Sequence, residues 1–557
     1  MSPNEERFDE EEVVVKKKDR KKKDALKKYF WSSEVFITMK NRLDKWEKKY
    51  PDKPFRVLLK MVYLCISVMI FRTLRFLCPC RFFQRSNTGN VLQCLVYLRG
   101  GIGDIVIGAT YLKELYKWSD VDCQFVICTD QNKFAVESLF DGYPFVKQVF
   151  TRFKDRYISD NYDLVLDINR FPRTVQVNHK RVQKIAPRLY DLLSFYKVFE
   201  KRNDKFYRYT PFTDALGVMY ALMNGHTRRT QPDVGHRIGL DESTRSYLAL
   251  PEEAFAILGK YNLADRFFVT LQRGTNVADK IVNNVRDWPV EYYNTLIRLL
   301  KERYPSLVVL QLGKKFPSVD LDGVDVDLRG QTTFDELKVI LKRSTLHIDG
   351  ECGMVHLTHA LYGRSAVFFA QTRVDFCGYP ENINIKAEGT CPLWCEWVTN
   401  DWQKRCVRGF DNPPCMQQLT PDLVLSSVEP YLDRVLTGPK PRLVETSFSS
   451  QVAGVICFVG KFTDDFLLDQ CKSGNQVYLF DTSLDRARIQ KLKEKGITAD
   501  FGDMHNIPMS QASCDCVWCD QVDPSVFVLD EMTRVLKPGG TVVKGNSDNR
   551  RCFVKEV

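Results

Sequence analysis

CLVYLRGGIGD, Cys94–Asp104, is the stretch that decides the fold. Its first six residues, Cys94–Arg99, form a short apolar run suited to a buried strand. Its last five, Gly100–Asp104, place three glycines and a carboxylate ahead of Ile105–Leu115, an apolar-periodic segment suited to a helix. Strand, glycine turn and helix then repeat. Gln124–Thr129, Val146–Thr151 and Tyr162–Ile168 read as further strands. Residues 171–235, irregular and rich in Arg, Lys and Tyr, are expected to be helical insertions. A second block starts with a strand and glycine turn, Arg266–Gly274. Trp288–Pro289 opens a helix with proline at its first position, and Ser306–Gly313 is a strand. Thr333–Ser344 is a helix with Thr333 as cap and Glu336 three residues on. Thr345–Gly350 is a strand, Glu351–Gly363 a turn and helix, and Ser365–Thr372 a strand. Two such α/β blocks predict two doubly wound, Rossmann-like domains facing a cleft, at residues 89–245 and 246–435.

The chain has 557 residues, long enough for three or four domains at roughly 100–200 residues each. Its net charge of +11 is concentrated rather than spread. Residues 1–12 hold six acids and one base, and residues 13–85 hold 21 bases and six acids, so everything beyond residue 85 carries only +1. A near-neutral body offers no groove-sized basic stripe, which excludes nucleic acid as the leading partner. The basic segment includes Val57–Cys80, whose uncharged apolar run, Met61–Phe71, has 11 residues against the roughly 20 that span hydrocarbon. Residues 1–88 therefore read as a basic amphipathic segment, either lying on an anionic membrane surface or packed on the body with a solvated tail. The first dozen residues lack the apolar core of a secretory signal, so a cytoplasmic location, peripheral on the cytoplasmic membrane face, is expected, with the 18 cysteines mostly free or metal-bound.

Three clusters carry chemistry. Gly101 and Gly103 allow close backbone approach to a ligand, and Asp104 is either a helix-capping carboxylate or a general base on the cleft floor. Arg273, Gly274, Thr275 and Arg286 are loop residues or, together with backbone N–H groups, a diphosphate site. Glu351, Gly353, Met354 and His356 open a helix, where His356 is either a structural histidine, like its neighbours His347 and His359, or, with backbone donors, suits a leaving nucleoside diphosphate while the carboxylate suits ribose hydroxyls.

In order and spacing these clusters resemble glycosyltransferase family 9, the heptosyltransferases of bacterial lipopolysaccharide. The matching motifs are Gly101-Ile102-Gly103-Asp104, Arg286-Asp287-Trp288-Pro289 and Glu351-Cys352-Gly353-Met354-Val355-His356, within about residues 91–435. The resemblance implies the two-domain GT-B fold and inverting transfer without an obligatory metal. It implies Asp104 as catalytic base, and Gly101, Gly103, Arg273, Gly274, Thr275, Arg286, Glu351, Gly353, Met354 and His356 around a nucleotide-sugar donor. ADP-heptose is the family's usual donor, and a lipid-linked or cell-surface glycan its acceptor. Arg286 replaces the usual lysine, Glu351 the commoner aspartate, Cys352 a hydroxyl residue, and Ala370-Gln371-Thr372 a Gly-Pro-Thr, changes that bear on which donor is bound.

Cys391, Cys395, Cys406 and Cys415 lie within 25 residues and are either a structural zinc or iron site or buried free thiols. Some proteins of the resembled type carry a cysteine finger here. Residues 436–453 read as a linker. Residues 454–557 resemble class I S-adenosylmethionine methyltransferases: Asp481 matches the ribose-binding acid, Gly502-Asp503-Met504 the adenine-side motif, and Leu536–Gly540 the late turn. Where the family needs a glycine-rich loop, Lys461 and Phe462 would crowd the cofactor, and the last strands are expected to be missing. A degenerate, partial Rossmann-like domain that packs, dimerises or binds a partner is expected. Methylation of a glycan, and a scaffold built from decayed enzyme folds, are the other readings.

Overall fold

The computed structural model describes Leu59, Val62 and residues 89–150, 162–207, 211–273, 286–315, 318–386, 394–399, 402–438, 442–446, 453–520, 525–545 and 551–556. The chain divides into two units, Met1–Asn87 and Thr88–Val557. In the first, only Leu59 and Val62 are described, both helical and exposed. The rest of the basic segment lies outside the described residues. Among the described residues, no helix is long and apolar enough to cross a membrane.

Among the described residues, the second unit contains three sheets. The first is ordered β3-β2-β1-β4-β5. Its strands are β1 (Leu92–Leu98), β2 (Cys123–Thr129), β3 (Val146–Phe150), β4 (Leu164–Ile168) and β5 (Pro172–Val177). β1 pairs in parallel with both β2 and β4, and every residue of it but Gln93 is buried, as a continuous apolar run requires. Residues 171–235 are not purely helical as expected. They begin with β5, antiparallel to β4, before their helices.

The second sheet, β11-β10-β9-β6-β7-β8, is parallel throughout. It comprises β6 (Phe268–Gln272), β7 (Val308–Leu312), β8 (Val326–Asp327), β9 (Leu346–Gly350), β10 (Ser365–Phe369) and β11 (Ile383–Lys386). Four helices matter below: α1 (Ile102–Trp118), α2 (Val290–Arg303), α3 (Phe334–Arg343) and α4 (Gly353–Ala360). The Thr333–Glu336 capping box opens α3 as expected, a device worth about 1 kcal/mol. Pro289 stands at the N-cap of α2 rather than inside it, and the preceding Trp288 is buried, its indole N–H donating to the Leu419 carbonyl at 2.7 Å.

The third sheet corrects two expectations. Residues 436–453 are not only a linker: Arg442–Thr446 forms β12. The late strands are present as well. β13 (Val455–Val459), β14 (Gln476–Phe480), β15 (Thr498–Asp500), β16 (Cys514–Cys519), β17 (Leu536–Lys544) and β18 (Arg551–Glu556) join β12 in the order β12-β18-β17-β16-β13-β14-β15. β18 runs antiparallel to both β17 and β12, so a strand from upstream of the domain completes its sheet. Leu536–Gly540, expected as a turn, is the start of β17. The fold is thus two Rossmann-like domains in the GT-B manner, followed by a methyltransferase-type sheet.

Candidate functional site

The site grows from the first turn of α1. Gly100 holds φ at +103°, a value open to glycine, and lets the chain turn so that the Gly101 N–H donates to Asp104 Oδ2 at 2.7 Å. The helix starts at Ile102, so Asp104 is its third residue and not its N-cap. From there its carboxylate can satisfy the turn with one oxygen and leave the other free for a second role. That second oxygen, Oδ1, pairs with the Arg228 guanidinium. Arg228 is buried. Burial opposes its charge, but Asp104 outweighs the penalty and raises its pKa. The Asp104 side chain stays 31% exposed, so it remains reachable from the cleft.

Across the cleft, β9 ends at Gly350, Glu351 and Cys352 turn, and Gly353 starts α4. Arg286 donates through Nη2 to the Glu351 carbonyl at 2.8 Å and to Oε2 at 3.2 Å. His356 Nε2 lies 3.3 Å from Glu351 Oε1, and its Nδ1 is 2.5 Å from the Tyr379 hydroxyl. Burial pushes the Glu351 carboxyl up, but His356 and then Arg286 hold it below the usual carboxylate range. The two motifs touch. A Cβ on Gly353 would lie 3.2 Å from the Gly103 nitrogen, and one on Gly103 would strike the His356 ring. Two helix N-termini therefore converge on one cleft, with partial positive charge at both.

Asp104, Gly101, Gly103, Arg286, Glu351, Gly353 and His356 are thus brought together. Arg273 donates through Nε to the Trp288 carbonyl at 3.3 Å and supports the loop carrying Arg286. Met354 packs partly buried against the core. Gly274 and Thr275 lie outside the described residues. The sequence reading missed Arg228, Tyr379 and Glu396. Burial first, then the charge of Glu351, pushes Glu396 up to about 7, against the pull of Arg286 and Arg170. Arg170 stacks over Trp397 at 4.8 Å and donates to the Asp214 carbonyl at 2.8 Å.

Among the described residues, two sets of potential metal ligands converge within 4.8 Å: His347, Asp349 and Cys352, and Glu351, Cys377 and Glu396. In the first, the Cys352 thiol donates to Asp349 Oδ2 at 2.8 Å. Cys395, Cys406 and Cys415 belong to neither set, and Cys391 lies outside the described residues.

In the third domain, Gly460 holds φ at +112° at the end of β13, and the Lys461 N–H donates to Asp520 at 2.9 Å. Phe462 folds back on Phe458, ring centres 5.0 Å apart. Asp481 accepts from the Ser483 N–H and hydroxyl, both at 2.8 Å. Asp503, read as the adenine-side acid, is taken by the Tyr247 hydroxyl and by the N–H groups of His505 and Asn506. Of the cofactor positions, Asp481 is in place, whereas the first loop and Asp503 do not fit S-adenosylmethionine.

Two facing Rossmann-like domains with a carboxylate and two helix N-termini at their junction define the class. Several solved structures are similar to this chain. The chain is similar to the glycosyl transferase family 9 protein from Veillonella parvula, at 12% identity and TM-score 0.41, covering 61% of this chain and 97% of that one. It is similar to the E. coli ADP-heptose lps heptosyltransferase II, at 12% identity and TM-score 0.39, covering 62% and 100%. The iron-containing dodecameric glycosyltransferase TibC from enterotoxigenic E. coli is similar at 12% identity and TM-score 0.40, covering 63% and 80%. The methyltransferase-domain family model matches residues 457–543. No curated protein matches the chain.

Proposed function

We propose that the chain is an inverting glycosyltransferase that moves a sugar from a nucleoside diphosphate donor to a glycan or lipid-linked acceptor. The observation that carries this reading is the junction at Gly103, Gly353 and His356, which puts a reachable carboxylate beside two helix N-termini. Asp104 removes the acceptor hydroxyl's proton as that oxygen attacks the anomeric carbon. The bond to the diphosphate breaks on the opposite face, which inverts the configuration. The charge developing on the diphosphate is met by the helix N-termini and by Arg286, with His356 fixed between Glu351 and Tyr379. By the resemblance, Glu351 would accept ribose hydroxyls. By the resemblance, heptose carried on ADP is the first donor to test. In this reading residues 89–245 form the acceptor side and residues 246–435 the donor side. The basic segment 1–88 would hold the protein on the cytoplasmic face of an anionic membrane.

A thermal-shift screen of nucleotide sugars tests the reading. A true donor stabilises the native state by about 2.7 kcal/mol at a hundred times its Kd. The reading expects a rise in Tm with one nucleoside diphosphate sugar and its nucleoside diphosphate, abolished in Arg286→Ala. No rise with any member of the panel would count against it.

A further inference from the structure

Open α/β sheets bind ligands beyond the carboxyl ends of their parallel strands. In the third domain that edge is used for something else. After β14, the Arg486 N–H donates to the Tyr116 hydroxyl at 3.1 Å, and its guanidinium reaches the Ser119 carbonyl and Asp122, each at 3.2 Å. At the end of β15, Asp500 pairs with Lys113 at 2.9 Å and Lys117 at 3.0 Å. The Phe501 ring, fully buried, packs edge-on to Tyr143 and Phe145, each with ring centres 5.5 Å away. Asp503 takes the Tyr247 hydroxyl, and Asn506 donates to the Leu248 carbonyl at 3.0 Å.

The helix after β16, α5 (Val526–Val535), faces the second Rossmann-like domain. Its Glu531 pairs with Lys342 at 2.9 Å and its Asp530 with Arg343 at 2.7 Å, both lysine and arginine coming from the end of α3. Lys342 also donates to the carbonyl of Leu361, the C-cap of α4, at 3.0 Å. Both acids are buried, yet Asp500 is held near a pKa of about 2 by Lys113 and Lys117, and Glu531 near about 2 by Arg534 of its own helix and then by Lys342.

The placement closes a triangle. α1 and α4 meet at their N-termini, where the proposed transfer occurs. The last turns of α1, through Lys113 and Lys117, and the C-cap of α4, through Lys342, are gripped by the third domain. We propose that the methyltransferase-type domain is a brace. It fixes the angle between the two Rossmann-like domains, and it does so with the surface that a cofactor would otherwise occupy. The mismatch at Asp503 follows, since a loop committed to Tyr247 cannot also cradle an adenine.

Hydrogen exchange on the full chain, without any sugar donor, tests this independently of the transferase reading. The variants are Asp500→Asn alone and Asp500→Asn with Glu531→Gln. The brace predicts that exchange at Ile105–Ala109 and Leu357–Ala360, away from the substituted residues, accelerates at least about tenfold, equivalent to about 1.4 kcal/mol of opening free energy. β13 and β14 should stay protected, which shows that the third domain is still folded. Acceleration confined to the third domain and its contact surface, with both helices unchanged, would overturn the proposal. So would saturable heat on titrating S-adenosylmethionine into the unmodified protein.

Discussion

Gly103→Ala isolates the contact on which the site depends. Gly103 lies in the first turn of α1 with ordinary helical geometry, so helix propensity alone favours alanine by about 1 kcal/mol. Space decides the other way. The added Cβ would fall under 3.0 Å from Cδ2 of His356, a separation that real Cβ atoms essentially never show, and would sit 3.1 Å from Nε2 and 3.2 Å from Cγ. The imidazole cannot swing aside cheaply, because Tyr379 holds Nδ1 at 2.5 Å and Glu351 faces Nε2 at 3.3 Å. Releasing a hydrogen bond to a charged group costs about 1.5–3 kcal/mol, and overpacking of a rigid contact typically costs 1–3 kcal/mol. The expected net loss is about 1–3 kcal/mol in urea unfolding. A displacement of about 1 Å at the donor site should lower transfer on the order of 100-fold. Gly101→Ala is the control. Its φ is −76° and its Cβ would lie 3.9 Å from Asp104, so its unfolding stability should be nearly unchanged. Gly103→Ala with His356→Ala should cost less than the sum of the singles, the signature of a shared contact. Wild-type stability and nucleotide binding in Gly103→Ala would refute the reasoning.

Two further substitutions probe the electrostatics. Arg228→Lys keeps the charge but not the planar fork that reaches Asp104 and, at 3.4 Å, Gln231. Transfer should fall by up to about 100-fold with nucleotide affinity unchanged, read as a loss in kcat. Glu396, with its pKa raised to about 7, should make stability depend on pH. A raised carboxyl pKa means the native state prefers the proton. That contribution is full below the unfolded value near 4.5 and is lost as pH rises through 7. The stability of the natural protein relative to Glu396→Gln should therefore fall between pH 4.5 and 7, by up to roughly 3 kcal/mol, in paired denaturation series. A flat difference would contradict the assignment.

The central strands of all three sheets were legible because each is a short apolar run buried on both faces, as in β1, β6 and β13. β5 was not, since Pro172–Val177 is mostly half-buried and lies at an edge, where no continuous apolar run is required. β12 was hidden for a different reason. Arg442–Thr446 is largely exposed, and what makes it a strand is pairing with Arg551–Glu556, more than a hundred residues away. The site shows the same division. Local motifs marked Gly103, Asp104, Glu351 and His356, because helix starts need particular residues. Arg228, Tyr379 and Glu396 come from loops without periodicity, and their roles exist only through contacts between distant segments. Asp503 shows the converse: a motif-matched acid whose partner, Tyr247, redirects it.

Asp104 as the base is the step on which the proposed transfer depends most. The direct measurement compares the natural protein with Asp104→Asn, using the donor found by thermal shift, and follows both nucleoside diphosphate release in the presence of acceptor and nucleotide binding by calorimetry. Asparagine can still accept from the Gly101 N–H, so the turn should hold. The account predicts unchanged nucleotide affinity with transfer abolished. Turnover near that of the natural protein in Asp104→Asn would contradict it.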